Sequence, residues 1–282
     1  MSETHTDEQD ARDERDPDDA EQERHDDDDD ILVHAADLTA YGSQGTIFGP
    51  VDLDLRPRQL GVVRGPKGSG KSALLLALCG RFRGTRGTLT IDGIDALADP
   101  YKAIERTSVA QLGDYVQPED RLTLDESLAE RCYLDAVPLH KAESRVRDIE
   151  EIVGFRIDRS CELEQLTAIE RAVASVALAM LRPTKVIVID DADVMVPHAQ
   201  QRLLFDVFSR LTELDDSTII AATVDDDMTP PGSVEIELPR RSSHVAVSPI
   251  VRQTDPFPDD SSDHTDQTDP AGGQQGHQPT QE

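Results

Sequence analysis

One glycine-rich segment has the residue types and the spacing that bind phosphate. It reads Gly65, Pro66, Lys67, Gly68, Ser69, Gly70, Lys71 and Ser72, and it matches the pattern GxxxxGKS/T at every position. Glycines let successive backbone N–H groups turn inward around a phosphate, and the start of a following helix adds partial positive charge. Lys71 would reach the outer phosphates of a nucleotide, and the Ser72 hydroxyl would bind Mg²⁺. The segment therefore predicts a nucleotide-binding phosphate loop.

A second candidate site is a pair of acidic residues that follows a short apolar run. Val186–Ile189 is predicted to be a buried strand, and Asp190 and Asp191 come directly after it. A carboxylate at the carboxyl end of such a strand lies beside the phosphate loop in an α/β sheet. We therefore expect Asp190 to bind Mg²⁺ together with Ser72, and Asp191 to orient or deprotonate an attacking water. In the alternative interpretation the pair only begins a polar loop.

The elements that would position these residues include both strands and helices. Apolar runs predict strands at 31–33, 51–55, 60–63, 88–91, 108–111, 186–189 and 218–222. A compact helix is predicted at 72–79, and the stretch from about Leu124 to Leu181 has helical periodicity. The runs at 186–189 and 218–222 suit parallel strands that are buried on both faces. The sequence therefore predicts an α/β fold with a mixed or parallel sheet and an inserted helical subdomain.

The charge of the chain is strongly negative and is concentrated at its two ends. The chain contains 57 acidic and 28 basic residues, a formal net charge of −29. Residues 1–30 hold 16 acidic and three basic residues, and residues 253–282 hold seven acidic residues and neither Lys nor Arg. We predict disordered acidic tails at 1–30 and 243–282, flanking a domain at 31–242. A solubilising role is favoured over partner binding for both tails.

The composition also argues against several classes of function. So acidic a chain lacks the Lys and Arg needed for unassisted binding to nucleic acid or to an anionic membrane surface. The three cysteines have no paired spacing and the eight histidines no metal-ligand spacing, which disfavours a disulfide framework or a zinc site. No run approaches the roughly 20 apolar residues of a membrane-spanning helix, and no secretion signal is seen. A cytoplasmic location is therefore expected.

Together the motifs resemble those of the ATP-binding cassette (ABC) ATPases that drive membrane transporters. The resemblance covers nearly all of 31–240: GPKGSGKS resembles the Walker A loop of that family, VIVIDDAD its Walker B segment, and LTLDESL the segment after its Q-loop. The resemblance implies an ABC-type P-loop NTPase core with an antiparallel β portion and a helical subdomain at about 119–181. It also implies ATP and Mg²⁺ as cofactors and ATP hydrolysis as the activity.

The resemblance assigns roles to further residues. Tyr41 stands 24 positions before the loop, where the family has an aromatic residue that stacks on adenine, although an ordinary core role is the open alternative. Gln111, at the end of a predicted strand, resembles the Q-loop glutamine that contacts the metal and senses the outer phosphate. Gln117 is the competing candidate for that role. Lys71 and Asp191 would be the catalytic residues.

The chain departs from the family at its signature sequence, LSGGQ. The corresponding residues read Leu166-Thr167-Ala168-Ile169-Glu170. The side chains of Ala168 and of β-branched Ile169 are expected to stand where backbone must approach a phosphate. Glu170 is expected to repel the phosphate. In a dimer whose nucleotides lie between one subunit's loop and the other's signature, these changes should weaken closure around ATP.

Further departures concern turnover. Asp191 is one methylene shorter than the family's glutamate, Val224 stands at the position of its switch histidine, and 194–197 has no recognisable D-loop. The favoured hypothesis is an ATP-binding subunit that drives or regulates a separate membrane-embedded permease, working as a homodimer or a heterodimer. The second is a regulatory or structural nucleotide-binding protein with little or no turnover. A third, a small-molecule kinase, would need a second substrate site, for which the sequence offers no motif.

Overall fold

The structure, a computed structural model, describes residues 31–113, 115–224 and 229–239, so the predicted acidic tails lie outside the described residues. In chain order the strands are β1 (Val33–Gly42), β2 (Gly45–Leu55), β3 (Leu60–Arg64), β4 (Thr85–Ile91), β5 (Ile94–Asp95), β6 (Thr107–Gln111), β7 (Val186–Ile189), β8 (Thr218–Thr223) and β9 (Val234–Glu237). The helices are α1 (Lys71–Leu78), α2 (Pro100–Glu105), α3 (Leu124–Asp135), α4 (Leu139–Val153), α5 (Ala168–Ala179) and α6 (His198–Leu211). Short 3₁₀ helices span Leu163–Gln165 and Leu214–Asp216.

A parallel sheet of five strands carries the predicted site at its carboxyl end. The strands lie in the order β6-β7-β8-β3-β9, and each neighbouring pair runs parallel. Along β7, Val186 and Val188 pack into one core cluster, whereas Ile187 and Ile189 pack into another on the opposite face. Because both faces of the strand are covered, each of its residues is apolar, which is why the sequence reads as a continuous run.

One face of the parallel sheet is covered by α1 and by a second, antiparallel sheet of order β2-β1-β4-β5. Leu53 of β2, Leu89 of β4 and Leu74 of α1 share a buried cluster with Val188 of β7. This packing brings β2 next to the start of α1, where the glycine-rich loop ends.

The opposite face of the parallel sheet is covered by α3 to α6. Leu128, Val146, Val173 and Phe205, one from each of these helices, are almost fully buried in a single cluster. Three of the helices, α3, α4 and α5, lie between β6 and β7 in the chain, as the helical periodicity of that stretch predicts.

The predicted fold class is confirmed, with a parallel sheet, an antiparallel portion and inserted helices. Individual elements differ from the prediction. The strand predicted at 31–33 overlaps β1 only at Val33, since β1 runs from Val33 to Gly42, and α2, α6 and β9 were not predicted. Among the described residues, none of the helices combines the length and the apolar character needed to cross a bilayer.

Candidate functional site

The glycine-rich segment forms a tight loop between β3 and α1. Gly68 and Gly70 have φ angles of 82° and 104°, in the left-handed region that favours glycine. A Cβ atom on Gly70 would lie 2.5 Å from the backbone oxygen of Ile47 in β2, so this position excludes a side chain. A Cβ atom on Gly68 would meet nothing within 4 Å. The loop therefore packs tightly against β2 at Gly70 and has free space beside Gly68.

Two buried polar side chains of the loop have hydrogen-bond donors to spare. Lys71 is 7% exposed, and its Nζ donates to the Gly65 backbone oxygen at 2.8 Å, with a longer contact of 3.5 Å to that of Pro66. Because an ammonium group has three donors, at least one is left for a phosphate oxygen. The Ser69 hydroxyl is buried and has no hydrogen-bond partner within the described ranges. Unused donors of this kind fit a loop that binds an anion.

Asp190 directly follows β7 and is 2% exposed. Its carboxylate oxygen Oδ1 accepts a hydrogen bond from the Asp191 backbone N–H at 3.0 Å, and its own backbone N–H donates to the Gln111 oxygen at 2.9 Å. Burial raises the pKa of Asp190, and the nearby Ser72 hydroxyl acts against that rise. The negative charge of Asp191 raises the pKa further, whereas the positive charge of Lys71 lowers it.

Hydroxyl and carboxylate oxygens are the hard ligands that Mg²⁺ prefers. Ser72 and Asp190 would hold this ion, which when bound neutralises charge on the phosphates of the nucleotide. In the part of the chain that the structure describes, no group of three or more His, Cys, Asp or Glu side chains forms another candidate metal site. The donor set therefore fits a metal that takes its remaining ligands from phosphate and water.

Asp191, Gln111 and Gln117 all line one open cleft of about 510 Å³. Asp191 is exposed there, and its backbone has a φ angle of 48°. Gln111 ends β6 and pairs with Ile189, so its backbone is fixed beside Asp190. Gln117 is exposed in the following loop. The cleft admits both glutamines, and the strand pairing favours Gln111 as the residue beside the metal site.

Tyr41 lies on the antiparallel sheet and is 47% exposed. Its backbone N–H donates to the Gly84 oxygen at 3.2 Å, and the Arg86 guanidinium carbon lies 5.2 Å from the centroid of its ring. The same sheet contacts the phosphate loop through Ile47, which faces Gly70. Half-exposure is compatible with a base-stacking role. Arg86 has no sequence motif that singles it out, so sequence reasoning missed this contact.

The degenerate signature still forms a well-capped helix start. Thr167 is the N-cap residue of α5, and its hydroxyl accepts from the Glu170 N–H at 3.3 Å. In return a Glu170 carboxylate oxygen accepts from the Thr167 N–H at 2.9 Å. The expectation for Ile169 is wrong, because its side chain is 8% exposed and packs into the helical core rather than over the helix start. Ala168 also packs against that core, so the remaining change is the charge of Glu170.

A buried carboxylate near the site was not singled out from the sequence. Asp193 is almost fully buried, and Oγ1 of Thr223, the last residue of β8, donates to its Oδ2 at 2.5 Å. Val224 follows directly and is exposed. The run Asp190-Asp191-Ala192-Asp193 shows a third acid in the sequence, but the partner lies 30 residues away, so spacing gives no signal for the pair.

Comparison with known proteins identifies the class of this site. The family model described as ABC transporter matches residues 48–194, just over half of the chain. The chain therefore belongs to the ABC transporter family, and the predicted resemblance is confirmed. The glycine-rich loop and the segment around Asp190 are those of an ABC-type P-loop ATPase.

Curated relatives are ATP-binding proteins of transport systems. The chain is 26% identical over 185 residues to the putative ribose/galactose/methyl galactoside import ATP-binding protein 1 of Rhizobium meliloti (strain 1021), an alignment that covers 64% of this chain and 36% of the relative. It is 27% identical over 164 residues to the lactococcin-A transport/processing ATP-binding protein LcnC of Lactococcus lactis subsp. lactis, covering 54% and 22%. The chain thus spans 36% of the length of the first relative and 22% of the length of the second.

Two solved structures share the fold. One is cbiO1 from Clostridium perfringens, described as part of the ABC transporter complex cbiONQ, with a TM-score of 0.56, 16% identity, and coverage of 71% of this chain and 80% of that one. The other is a putative ABC transporter ATP-binding protein from Pyrococcus furiosus, with a TM-score of 0.57, 16% identity, and coverage of 73% and 96%. At this identity the likeness establishes the fold alone.

Proposed function

We propose that the chain binds Mg-ATP in the loop at 65–72 and hydrolyses it slowly, as the ATP-binding subunit of a transport system. The observation that carries the proposal is the placement of three side chains around one loop. Lys71 lies against the loop carbonyls with donors to spare, and the Ser72 hydroxyl lies near enough to the buried Asp190 carboxylate to lower its pKa. A phosphate oxygen of ATP would accept a hydrogen bond from Lys71. Mg²⁺, when bound, would neutralise charge at the outer phosphates.

The side chains of this chain would divide the remaining work. Lys71, Ser69 and the loop amides bind phosphate oxygens, and Tyr41 offers its exposed ring to the base. Gln111 lies beside the metal ligands. Asp191, exposed in the cleft, orients a water molecule and accepts its proton. Because its side chain is one methylene shorter than glutamate, the water is held at a poorer distance, and turnover is slow.

A second function, nucleotide binding with little or no turnover, is favoured by two observations. Glu170 places a carboxylate at the start of α5, where the family has a neutral glutamine. Val224 has no group that can donate to a phosphate or accept a proton. A chain with both changes would respond to ATP by binding it, and would act as a regulatory subunit.

The partner in either case would be a membrane-embedded permease, with a second nucleotide-binding domain of the same or a different chain. The names of the relatives, which include import and transport/processing ATP-binding proteins, support this assignment. A cleft of about 340 Å³ bordered by exposed Val116 and Leu134 and by charged Glu119, Glu130 and Arg131 suits an amphipathic segment of such a partner. The chain would then be cytoplasmic and held at the membrane through the permease.

The two functions are separated by measuring binding and turnover independently. Calorimetric titration of the full chain with Mg-ATP reports binding, and a phosphate-release assay under the same conditions reports hydrolysis. Binding with slow release supports the ATPase. Binding without release supports the regulatory protein. A chain that does neither contradicts both.

A further inference from the structure

Asp193 is a buried carboxylate to which the mechanism above assigns no role. It is 2% exposed and accepts the 2.5 Å hydrogen bond from Thr223, which is itself buried. Taking a carboxylate out of water is costly unless the charge is well compensated. A buried carboxylate beside the candidate site therefore needs a structural reason, and its hydrogen bond indicates which segment it holds in place.

Asp193 anchors the turn that carries Asp191. The φ angle of 48° at Asp191 is in the left-handed region, which costs a non-glycine residue about 1–2 kcal/mol. The turn is closed by the Val194 N–H, which donates to the Asp191 oxygen at 3.2 Å. It is joined to β8 by the Ala192 N–H, which donates to the Ala222 oxygen at 3.3 Å, and by the side-chain bond between Thr223 and Asp193. Two attachments to the end of β8 thus hold a strained backbone in place.

We propose that the hydrogen bond between Thr223 and Asp193 holds Asp191 where it can orient the attacking water. Asp193 and Thr223 are then positioning residues of hydrolysis. The inference rests on the proposed function. Without this hydrogen bond, the backbone of Asp191 can relax out of its left-handed conformation. The Asp191 carboxylate would then move away from the position in which it contacts the attacking water. In this chain the end of β8 is then coupled to the site through Thr223.

The test compares threonine variants on the same strand. Thr223→Val removes the donor but keeps the backbone of β8, whose pairing with Arg64 supports the phosphate loop. Thr223→Ser keeps the donor. Thr218→Val is the matched control, because Thr218 is a buried threonine at the opposite end of β8 whose hydroxyl donates to the Arg56 oxygen at 3.0 Å. Both valine variants should lose some thermal stability.

Turnover separates a positioning role from a structural one. We expect Thr223→Val to lower kcat for phosphate release about tenfold or more, since small misplacements of reacting groups are costly in rate. The dissociation constant for Mg-ATP should stay unchanged, Thr223→Ser should restore kcat, and Thr218→Val should leave kcat at the wild-type value. Asp193→Asn, which keeps an acceptor oxygen, should retain more activity than Asp193→Ala. Equal kcat in Thr223→Val and Thr218→Val would overturn the proposal.

Failure of the proposed function would give a different result. If the wild-type chain binds Mg-ATP and releases no phosphate, hydrolysis is the claim that fails. Hydrogen exchange of the backbone amides of 190–196 then decides whether the anchor exists. Faster exchange in Thr223→Val than in Thr218→Val supports the anchor, and equal exchange in the two variants contradicts it.

Discussion

At the scale of single residues, the proposed function makes turnover depend most directly on Asp191. Its side chain is exposed in a cleft beside Asp190, whereas Asp190 is almost fully buried at the end of β7. The proposed function therefore gives the two neighbouring carboxylates different roles. The buried one suits a metal ligand, and the exposed one can take a proton from water.

We predict that Asp191→Asn lowers the rate of phosphate release by about 100-fold, because an amide cannot accept the proton. The affinity for Mg-ATP should remain unchanged. Asp191→Glu should raise the rate above wild type, since the longer side chain shortens the distance to the water. Phosphate release under saturating Mg-ATP measures both effects. An unchanged rate in Asp191→Asn, together with loss of Mg²⁺-dependent binding in Asp190→Asn, would show that Asp191 takes no part in catalysis.

The residues that could be predicted are those whose chemistry is tied to a contiguous motif. Lys71, Ser72 and Asp190 follow from local spacing, because the phosphate loop and the strand end each fix one position. Residue pairs formed in space could not be predicted. Thr223 and Asp193 belong to different segments, and the inward direction of Ile169 depends on how α5 is rotated against the core.

At the scale of elements, the start of α5 shows what a degenerate signature retains. The capping box of Thr167 and Glu170 gives the helix a regular first turn. Since Ile169 packs into the core, replacing it by alanine would cost about 2–5 kcal/mol rather than open the phosphate-facing surface. We therefore expect the impairment of the signature to be electrostatic, with Glu170 as the residue to change.

We predict that Glu170→Gln increases ATP-dependent dimerisation, because it removes the negative charge and keeps an oxygen that can accept from Thr167. Stability should change by less than about 0.5 kcal/mol. Sedimentation velocity with and without Mg-ATP measures the dimer. Glu126→Gln is the matched control, since Glu126 holds the same capping-box position on α3. A wild-type chain that already dimerises tightly on ATP, or an equal gain in Glu126→Gln, would contradict the prediction.

The central strands of the fold could be predicted and its margins could not. β7 and β8 are buried on both faces, so their apolar runs are continuous and unambiguous. β9 is a four-residue edge strand with only Ile236 buried, which leaves almost no periodicity to detect. Helix α6 does carry a helical pattern of buried residues, so the periodicity of its sequence is sufficient to predict a helix there.

At the scale of the whole molecule, the boundaries 31–242 remain a prediction based on composition and charge. We predict that a chain trimmed to 31–242 keeps the melting temperature and the Mg-ATP affinity of the full chain. The reason is that the removed segments are acidic and poor in large apolar residues, and so contribute little core. Thermal melting and titration of both chains measure this. Strong protection of residues 1–30 in limited proteolysis, or a lower melting temperature of the trimmed chain, would contradict it.

Binding of Mg-ATP by wild type and by Lys71→Ala, measured by calorimetric titration, tests the central claim most directly. Lys71 places a buried ammonium group at the loop carbonyls, and loss of a charged hydrogen-bond donor costs about 1.5–3 kcal/mol. We therefore predict that affinity falls by roughly ten- to a hundredfold in Lys71→Ala. Lys102→Ala, which removes an exposed lysine paired with Asp99, should bind as wild type does. Equal affinity in wild type and Lys71→Ala would contradict the assignment of the loop as a nucleotide site.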